Sequence, residues 1–341
     1  MAVLTEHEAE KLSNHKQVLL EVTGIRKYYP IRGGVLQRVQ GNVKAVENVS
    51  LQLYEGESLG VVGESGCGKS TLGKAILGLE ELTDGKIMFK GKEIQNLKKK
   101  EKLKFIKEMQ MIFQDPFASL NPRQRIGHAL EEVFTIHTNM SAKEKKNTVL
   151  DLLKEVGLKE EHYDRYPHEF SGGQRQRIGI ARAICLNPSF IICDEAVSAL
   201  DVSVQAQVLK LLKTLQAKYQ LSYMFISHDL GVVRYFCDRV LVMYLGHTVE
   251  LGSVEDLFNH PLHPYTQALL SAIPRPTVQK KRKRIRLEGD LPNPADPPGG
   301  CPFHTRCPIA QDKCKQEKPE WKEYGSDHFA ACHFAGQSIL A

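Results

Sequence analysis

The sequence predicts an α/β fold: a parallel sheet flanked by helices, with a phosphate-binding loop at the end of one strand. Two observations carry that prediction. Short runs rich in valine and isoleucine alternate with amphipathic stretches of helical spacing, the rhythm of strand and crossover helix. Gly63-Glu-Ser-Gly-Cys-Gly68-Lys69-Ser70 also fits G-x-x-x-x-G-K-[ST] in full, directly after an apolar run and before a helical one.

Ser58–Val62 reads as the buried strand before that loop. Phe190–Cys193, Tyr223–Ser227 and Leu241–Tyr244 read as three more. Helical spacing covers Ser70–Gly78, Gln174–Leu186, Val202–Tyr219 and Leu230–Phe236. The stretch 126–156 carries further helices, broken near Asn139-Met140-Ser141, and forms a candidate helical subdomain. From Pro261 the texture changes: Pro274, Pro276, Pro292, Pro294, Pro297 and Pro298, with Gly299 and Gly300, mark a linker.

Composition bounds the reading. The 341 residues suffice for roughly two domains. A content of 42% hydrophobic and 25% charged residues excludes a disordered chain. No apolar run is long enough to cross a bilayer, and the N-terminus lacks the apolar stretch of a signal peptide. The expectation is a chain neither secreted nor membrane-spanning. Net charge is +6, and six cations sit in one run: Lys280, Lys281, Arg282, Lys283, Arg284 and Arg286. The remainder is neutral, so the run reads as a solvated linker and no nucleic acid is expected as a partner. Cys67, Cys185, Cys193 and Cys237 are scattered, whereas Cys301, Cys307, Cys314 and Cys332 crowd into the C-terminal segment. Intracellular chains rarely use disulfides, so four clustered thiols point to one metal site.

The glycines of the loop let successive N–H groups of Gly63, Glu64, Ser65, Gly66, Cys67, Gly68, Lys69, Ser70 and Thr71 turn inward as an anion nest at a helix N-terminus. Lys69 would reach the β- and γ-phosphates of ATP, and Ser70 would place its hydroxyl on Mg²⁺. Such a loop needs a carboxylate for Mg²⁺ at the end of a buried strand, and Phe190-Ile-Ile-Cys-Asp194-Glu195 supplies it. Asp194 would face the metal, and Glu195 would polarise an attacking water. Ser171-Gly172-Gly173-Gln174 is, taken alone, a good helix N-terminus, and Asp201 a good N-cap. Gln114, His228 and Tyr29 would each have an ordinary structural reading in isolation.

Taken in order, these segments resemble the ATPase subunits of the ABC family. Gly63–Ser70 matches the family's phosphate loop, Phe190–Glu195 its carboxylate strand, and Ser171–Gln174 its signature, with Phe170 replacing the usual leading leucine. Gln114 matches the glutamine that senses the metal, Ser198–Asp201 the D-loop and His228 the switch histidine. Tyr29, or its neighbour Tyr28, matches the aromatic that stacks on adenine. Ala196 departs from the pattern, standing where a proline is more familiar.

The resemblance implies a RecA-like core with an antiparallel β subdomain and a helical subdomain. It divides the chain into a polar tail (1–17), an ATPase domain (18–258), a linker region (259–300) and a four-cysteine module (301–341). It also implies a head-to-tail dimer, in which Ser171 and Gly173 of one subunit close over nucleotide on the other. His263-Pro264-Tyr265 and Ser198–Gln207 resemble the second ATPase subunit of oligopeptide and dipeptide importers. That branch implies a homologous second ATPase, two integral permeases and an extracytoplasmic peptide-binding protein. It places the chain at the cytoplasmic face of the bacterial membrane. Relatives of the branch import nickel or glutathione instead, and soluble family members act on DNA or the ribosome. The tail's spacing fits no paired zinc module, and the resemblance adds a 4Fe–4S cluster to the zinc and metal-free readings of Cys301, Cys307, Cys314 and Cys332.

Overall fold

The computed structural model describes residues 17–33, 37–97, 99–115, 120–273, 285–325 and 327–339. The expected N-terminal tail up to residue 16, Pro274, Pro276 and the basic run from Lys280 to Arg284 lie outside these. Strands are numbered in chain order. An antiparallel sheet contains β1 (Val18–Gly33), β2 (Arg38–Tyr54), β4 (Asp84–Phe89) and β5 (Lys92–Glu93), in the order β2-β1-β4-β5. The larger sheet contains β3 (Ser58–Val62), β6 (Met109–Ile112), β7 (Phe190–Asp194), β8 (Ser222–Ile226), β9 (Arg239–Tyr244), β10 (His247–Ser253), β11 (Lys322–Glu323) and β12 (Phe329–Ala330). Its order is β11-β12-β10-β9-β3-β8-β7-β6.

The pairs β3–β8, β3–β9, β7–β8 and β6–β7 are parallel. Every residue of β3, β7 and β8 is buried, which is why these strands read as unbroken apolar runs: a parallel sheet is covered on both faces. Period-two alternation sorts their side chains into two cores. Leu59, Val61, Phe190 and Ile192 face the antiparallel layer, with Leu20, Val22 and Phe89. Val62, Ile191 and Cys193 face the helical side, with Ile178, Leu212 and Phe236.

The helices Val202–Tyr219 and Leu230–Phe236 match the sequence expectation residue for residue, and those expected at Ser70–Gly78 and Gln174–Leu186 form as Lys69–Ile76 and Gly172–Ile184. The helical subdomain is also present as Ile126–His137 and Ala142–Glu155. Their break falls where Ser141 caps the second helix: Glu144 N–H donates to Ser141 Oγ, and Ser141 N–H donates to Glu144 Oε2. The strands β1 and β2 escaped the sequence pattern. They are half-buried, and their register shifts repeatedly along the pair, so no clean alternation marks them.

The C-terminal residues pack onto the larger sheet. The helix Pro264–Ser271 begins at His263, whose Nδ1 accepts Tyr265 N–H, with Pro264 in the first turn. Glu250 of β10 is fully buried and accepts the N–H groups of Leu262 and His263, while His328 Nε2 lies 2.8 Å from it. The strand β12 pairs with β10. Phe303 packs edge-on against Tyr244 at 5.1 Å and beside Tyr265 at 5.4 Å, inside the main core. Replacing Phe303 with alanine should therefore destabilise the whole chain by about 3–5 kcal/mol in denaturant unfolding. A loss below about 1 kcal/mol would mean that the segment is a surface attachment rather than part of the core.

Candidate active site

The central position of β3 decides the site. Its neighbour β8, and β7 on the far side of β8, run parallel to it, so the segments following these strands emerge at one edge of the sheet. The loop after β3 needs glycine at two places. A Cβ on Gly63 would lie 2.2 Å from the Met243 carbonyl oxygen, and one on Gly68, at φ +101°, 2.0 Å from that of Ala45. Lys69 is buried, and its Nζ donates to the carbonyls of Gly63 (2.8 Å) and Glu64 (2.9 Å). Cys67 is buried beside it; Ser65 and Gly66 are exposed.

Asp194, at the end of β7, accepts the Ser70 hydroxyl at 2.7 Å. Burial raises the Asp194 carboxyl above its ordinary range, the Ser70 hydrogen bond pulls the other way, and the Glu195 charge pushes it up again. A hydroxyl and a carboxylate facing each other are hard oxygen donors and suit Mg²⁺. Glu195 adopts a left-handed backbone, φ +48°, a strained conformation for this residue. Its N–H donates to Ile226 O, and its carbonyl accepts the Ser198 hydroxyl at 2.9 Å, which fixes the turn through the buried Ala196. Two groups converge on Glu195 Oε2: Gln114 Nε2 donates at 2.9 Å, and His228 Nδ1 lies 3.5 Å away. Gln114 therefore meets Glu195 here, rather than Asp194.

Tyr28 and Tyr29 separate cleanly. The Tyr28 hydroxyl donates to Glu47 at 2.6 Å, and burial with that bond pushes its pKa up to about 12. Tyr29 instead lies beside Thr71, on the helix that follows the loop, and beside Glu80, and the Lys27 ammonium sits 4.7 Å above its ring. Ser171 and Asp201 lie apart from the cluster, and each does a local job. Ser171 caps the helix Gly172–Ile184 in a reciprocal pair with Gln174. Asp201 caps Val202–Tyr219, accepting from the N–H groups of Ser203 and Val204. Gly172 is exposed, and a Cβ on Gly173 would strike Val204 at 2.4 Å, so the two helix starts pass in close contact.

The four tail cysteines come near one another without closing on a point. Burial pushes the Cys301 thiol up to about 12, and Cys332, Cys314 and Cys307 add to it. Buried protonated thiols do not draw together as thiolates on a metal do. Among the described residues, no three His, Cys, Asp or Glu side chains are grouped to hold a metal ion. The expected metal site is thus not formed as a closed ligand set.

Two residues touch the loop from the tail side: Tyr265, which the sequence marked only as part of the His-Pro-Tyr segment, and Arg306, which it did not single out. The Tyr265 hydroxyl accepts Glu64 N–H at 2.8 Å, and Arg306 grips the Glu64 carboxylate at 2.7 and 3.1 Å. They lie 201 and 242 residues from Glu64, so no local spacing could have announced them.

Residues 46–198 match the ABC transporter family, and residues 249–314 match the oligopeptide/dipeptide transporter C-terminal region. The chain is 54% identical over 322 residues to the oligopeptide transport ATP-binding protein AppF of Bacillus subtilis, covering 94% of this chain and 98% of that one. It belongs to the ATP-binding proteins of the ABC transporter family. A second relative of this ABC ATPase is the oligopeptide transport ATP-binding protein OppF of Escherichia coli, 52% identical over 309 residues, 89% of this chain and 92% of the relative. Among solved structures, the ATP-binding cassette MJ0796, in a dimeric post-hydrolysis state bound to ADP and Pi, is similar with a TM-score of 0.62 and 28% identity. That match covers 69% of the ABC ATPase and 99% of the cassette. No helix among its described residues is long and apolar enough to cross a membrane.

The raised Asp194 pKa has a consequence for stability. A carboxyl that titrates higher folded than unfolded costs stability progressively as the pH rises from its unfolded to its folded pKa, and in full above the latter. Asp194→Asn should raise the melting temperature of the nucleotide-free protein at pH 8, keeping an acceptor for Ser70. The gain should shrink as the pH falls and wild-type Asp194 takes up its proton. A gain independent of pH would contradict the burial argument.

Proposed function

We propose that this ABC ATPase is the ATP-hydrolysing subunit of a bacterial importer of oligopeptides or dipeptides, acting at the cytoplasmic face of the membrane. The observation that carries the catalytic reading is the meeting of Gln114 and His228 on one oxygen of Glu195, beside Asp194 and Ser70. The cargo rests on the oligopeptide transport ATP-binding proteins that the chain resembles and on the matched C-terminal region.

In this reading ATP lies against the N–H nest of the loop, with Tyr29 against adenine. Lys69, which holds the loop's own carbonyls, turns to the β- and γ-phosphates. Ser70 and Asp194 would hold Mg²⁺, with Gln114 as a further candidate ligand, and the ion would supply positive charge for the transferring group. Glu195 takes the proton of the attacking water, held in line by the hydrogen bond from Gln114. His228, beside the same Glu195 oxygen, would contact the γ-phosphate. Ser171 is engaged as a helix cap and Gly173 packs against Val204 within this chain, and the corresponding residues of a homologous second ATPase would complete the site. Asp201 lies at that seam.

An apolar groove supports the reading of a membrane partner. Leu79, Ile106 and Phe113 are exposed along it, next to Gln114 in the chain and beside the helix Gly172–Ile184. Such a patch fits the apolar loops of a permease, of which the complex would carry two, with an extracytoplasmic peptide-binding protein delivering cargo. The nearness of four thiols supports one further assignment, a 4Fe–4S cluster on Cys301, Cys307, Cys314 and Cys332. Iron and acid-labile sulfide in anaerobically purified protein would bear this out; stoichiometric zinc without sulfide would reject it.

Glu195→Gln should still bind ATP but lose turnover by about a hundredfold or more, as removal of a general base does. ATPase activity close to wild type in the assembled complex would overturn the assignment of Glu195. Purification from gently solubilised membranes should recover two permeases and a second ATPase; recovery only with ribosomes or DNA would reject the transport reading.

A further inference from the structure

The contact between Arg306 and Glu64 has no part in the catalytic reading above, yet it lies inside the phosphate loop. Glu64 is held through three groups at once. Its N–H donates to the Tyr265 hydroxyl at 2.8 Å, and its carbonyl accepts Lys69 Nζ at 2.9 Å. Its carboxylate accepts both terminal nitrogens of Arg306, at 2.7 and 3.1 Å. The Arg306 side chain is only 9% exposed, and the Glu64 side chain 29%. Tyr244, Tyr265 and Phe303 form an aromatic triangle with ring centres 4.8 to 5.4 Å apart, and the Arg306 guanidinium lies 6.0 Å from the Tyr244 ring. The arginine thus comes from a rigid, buried platform rather than from a free surface loop.

The charge logic follows. The loop exists to receive a polyanion, and a carboxylate on its second residue would repel that polyanion through a poorly screened interior. A two-pronged guanidinium cancels this charge and fixes the side chain's direction. We propose that Arg306, supported by Tyr265, is a positioning residue for ATP: it neutralises Glu64 and sets the first turn of the phosphate loop, so that the C-terminal segment determines nucleotide affinity. Arg306 acts through Glu64 and touches no reacting atom. The inference rests on the reading of Gly63–Ser70 as the ATP site.

The test uses the assembled transporter in nanodiscs, with ATPase kinetics and nucleotide binding measured together. Arg306→Ala should raise KM for ATP about tenfold with kcat within about twofold, the mark of lost ground-state binding. The decisive arm is the double variant. Adding Glu64→Gln to Arg306→Ala removes the stranded carboxylate and should lower KM again severalfold, which no general loss of folding would do. Arg306→Lys keeps charge without the fork and should fall between wild type and Arg306→Ala. If Arg306→Ala does not accumulate, Arg306→Gln and Arg306→Gln/Glu64→Gln, which also remove the cation but keep more of the side chain's bulk, carry the same comparison. An unchanged KM in the single variant, or a double variant as impaired as the single, overturns the proposal. Failure of the wild-type complex to hydrolyse ATP would instead reject the underlying function.

Discussion

The hydrogen bond from Ser70 to Asp194 joins residues 124 positions apart at 2.7 Å, and most of the architecture serves to make it possible. It requires β3, β8 and β7 to lie side by side in one direction, so that the loop after β3 and the acid ending β7 leave the sheet together. Parallel pairing requires helical crossovers, which cover both faces and make the strands uniformly apolar. The antiparallel layer then supplies what the sheet alone lacks. It presses Ala45 against Gly68 and brings Tyr29 beside Thr71. The loop is therefore clamped from the sheet below and from a second layer beside it.

The groups around this bond stand poised in two different ways. Glu195 is held in an unfavourable backbone conformation by bonds to Ile226 and Ser198, while Gln114 and His228 meet its carboxylate. Lys69 spends its hydrogen bonds on carbonyls of its own loop. The arrangement combines a backbone-strained acid with a buried cation. Ser171 and Asp201 are occupied as helix caps, roles that place their backbones accurately and leave their helix ends facing outward.

Much of the parallel sheet was legible from sequence because buried strands and amphipathic helices carry strong periodicities. Val202–Tyr219 and Leu230–Phe236 matched in full, and the helix break near Ser141 was announced by a capping serine. The antiparallel layer was not legible from spacing, since β1 and β2 are half-buried and irregular in register; only family resemblance anticipated it. Within the site, local motifs located Lys69, Ser70, Asp194 and Glu195. The same motifs could not say that Gln114 would meet Glu195, or that Tyr29 rather than Tyr28 would reach Thr71. Those outcomes depend on register across strands. Arg306 was invisible for a stronger reason: its partner lies at the other end of the chain, and an isolated arginine beside a cysteine has no pattern.

The short pairing of β12 on β10 bears on solubility. Without it, β10 would be the last strand on that side of the sheet, with Glu250 and Leu251 leaving their backbone groups open. A bare edge of that kind is a template for strand addition by another chain. The tail covers it with strands only two residues long, and the outermost, Lys322–Glu323, is exposed and charged. The C-terminal segment thus ends the sheet against unwanted neighbours, and a shortened chain would be prone to aggregate through that edge even where its nucleotide loop stayed intact.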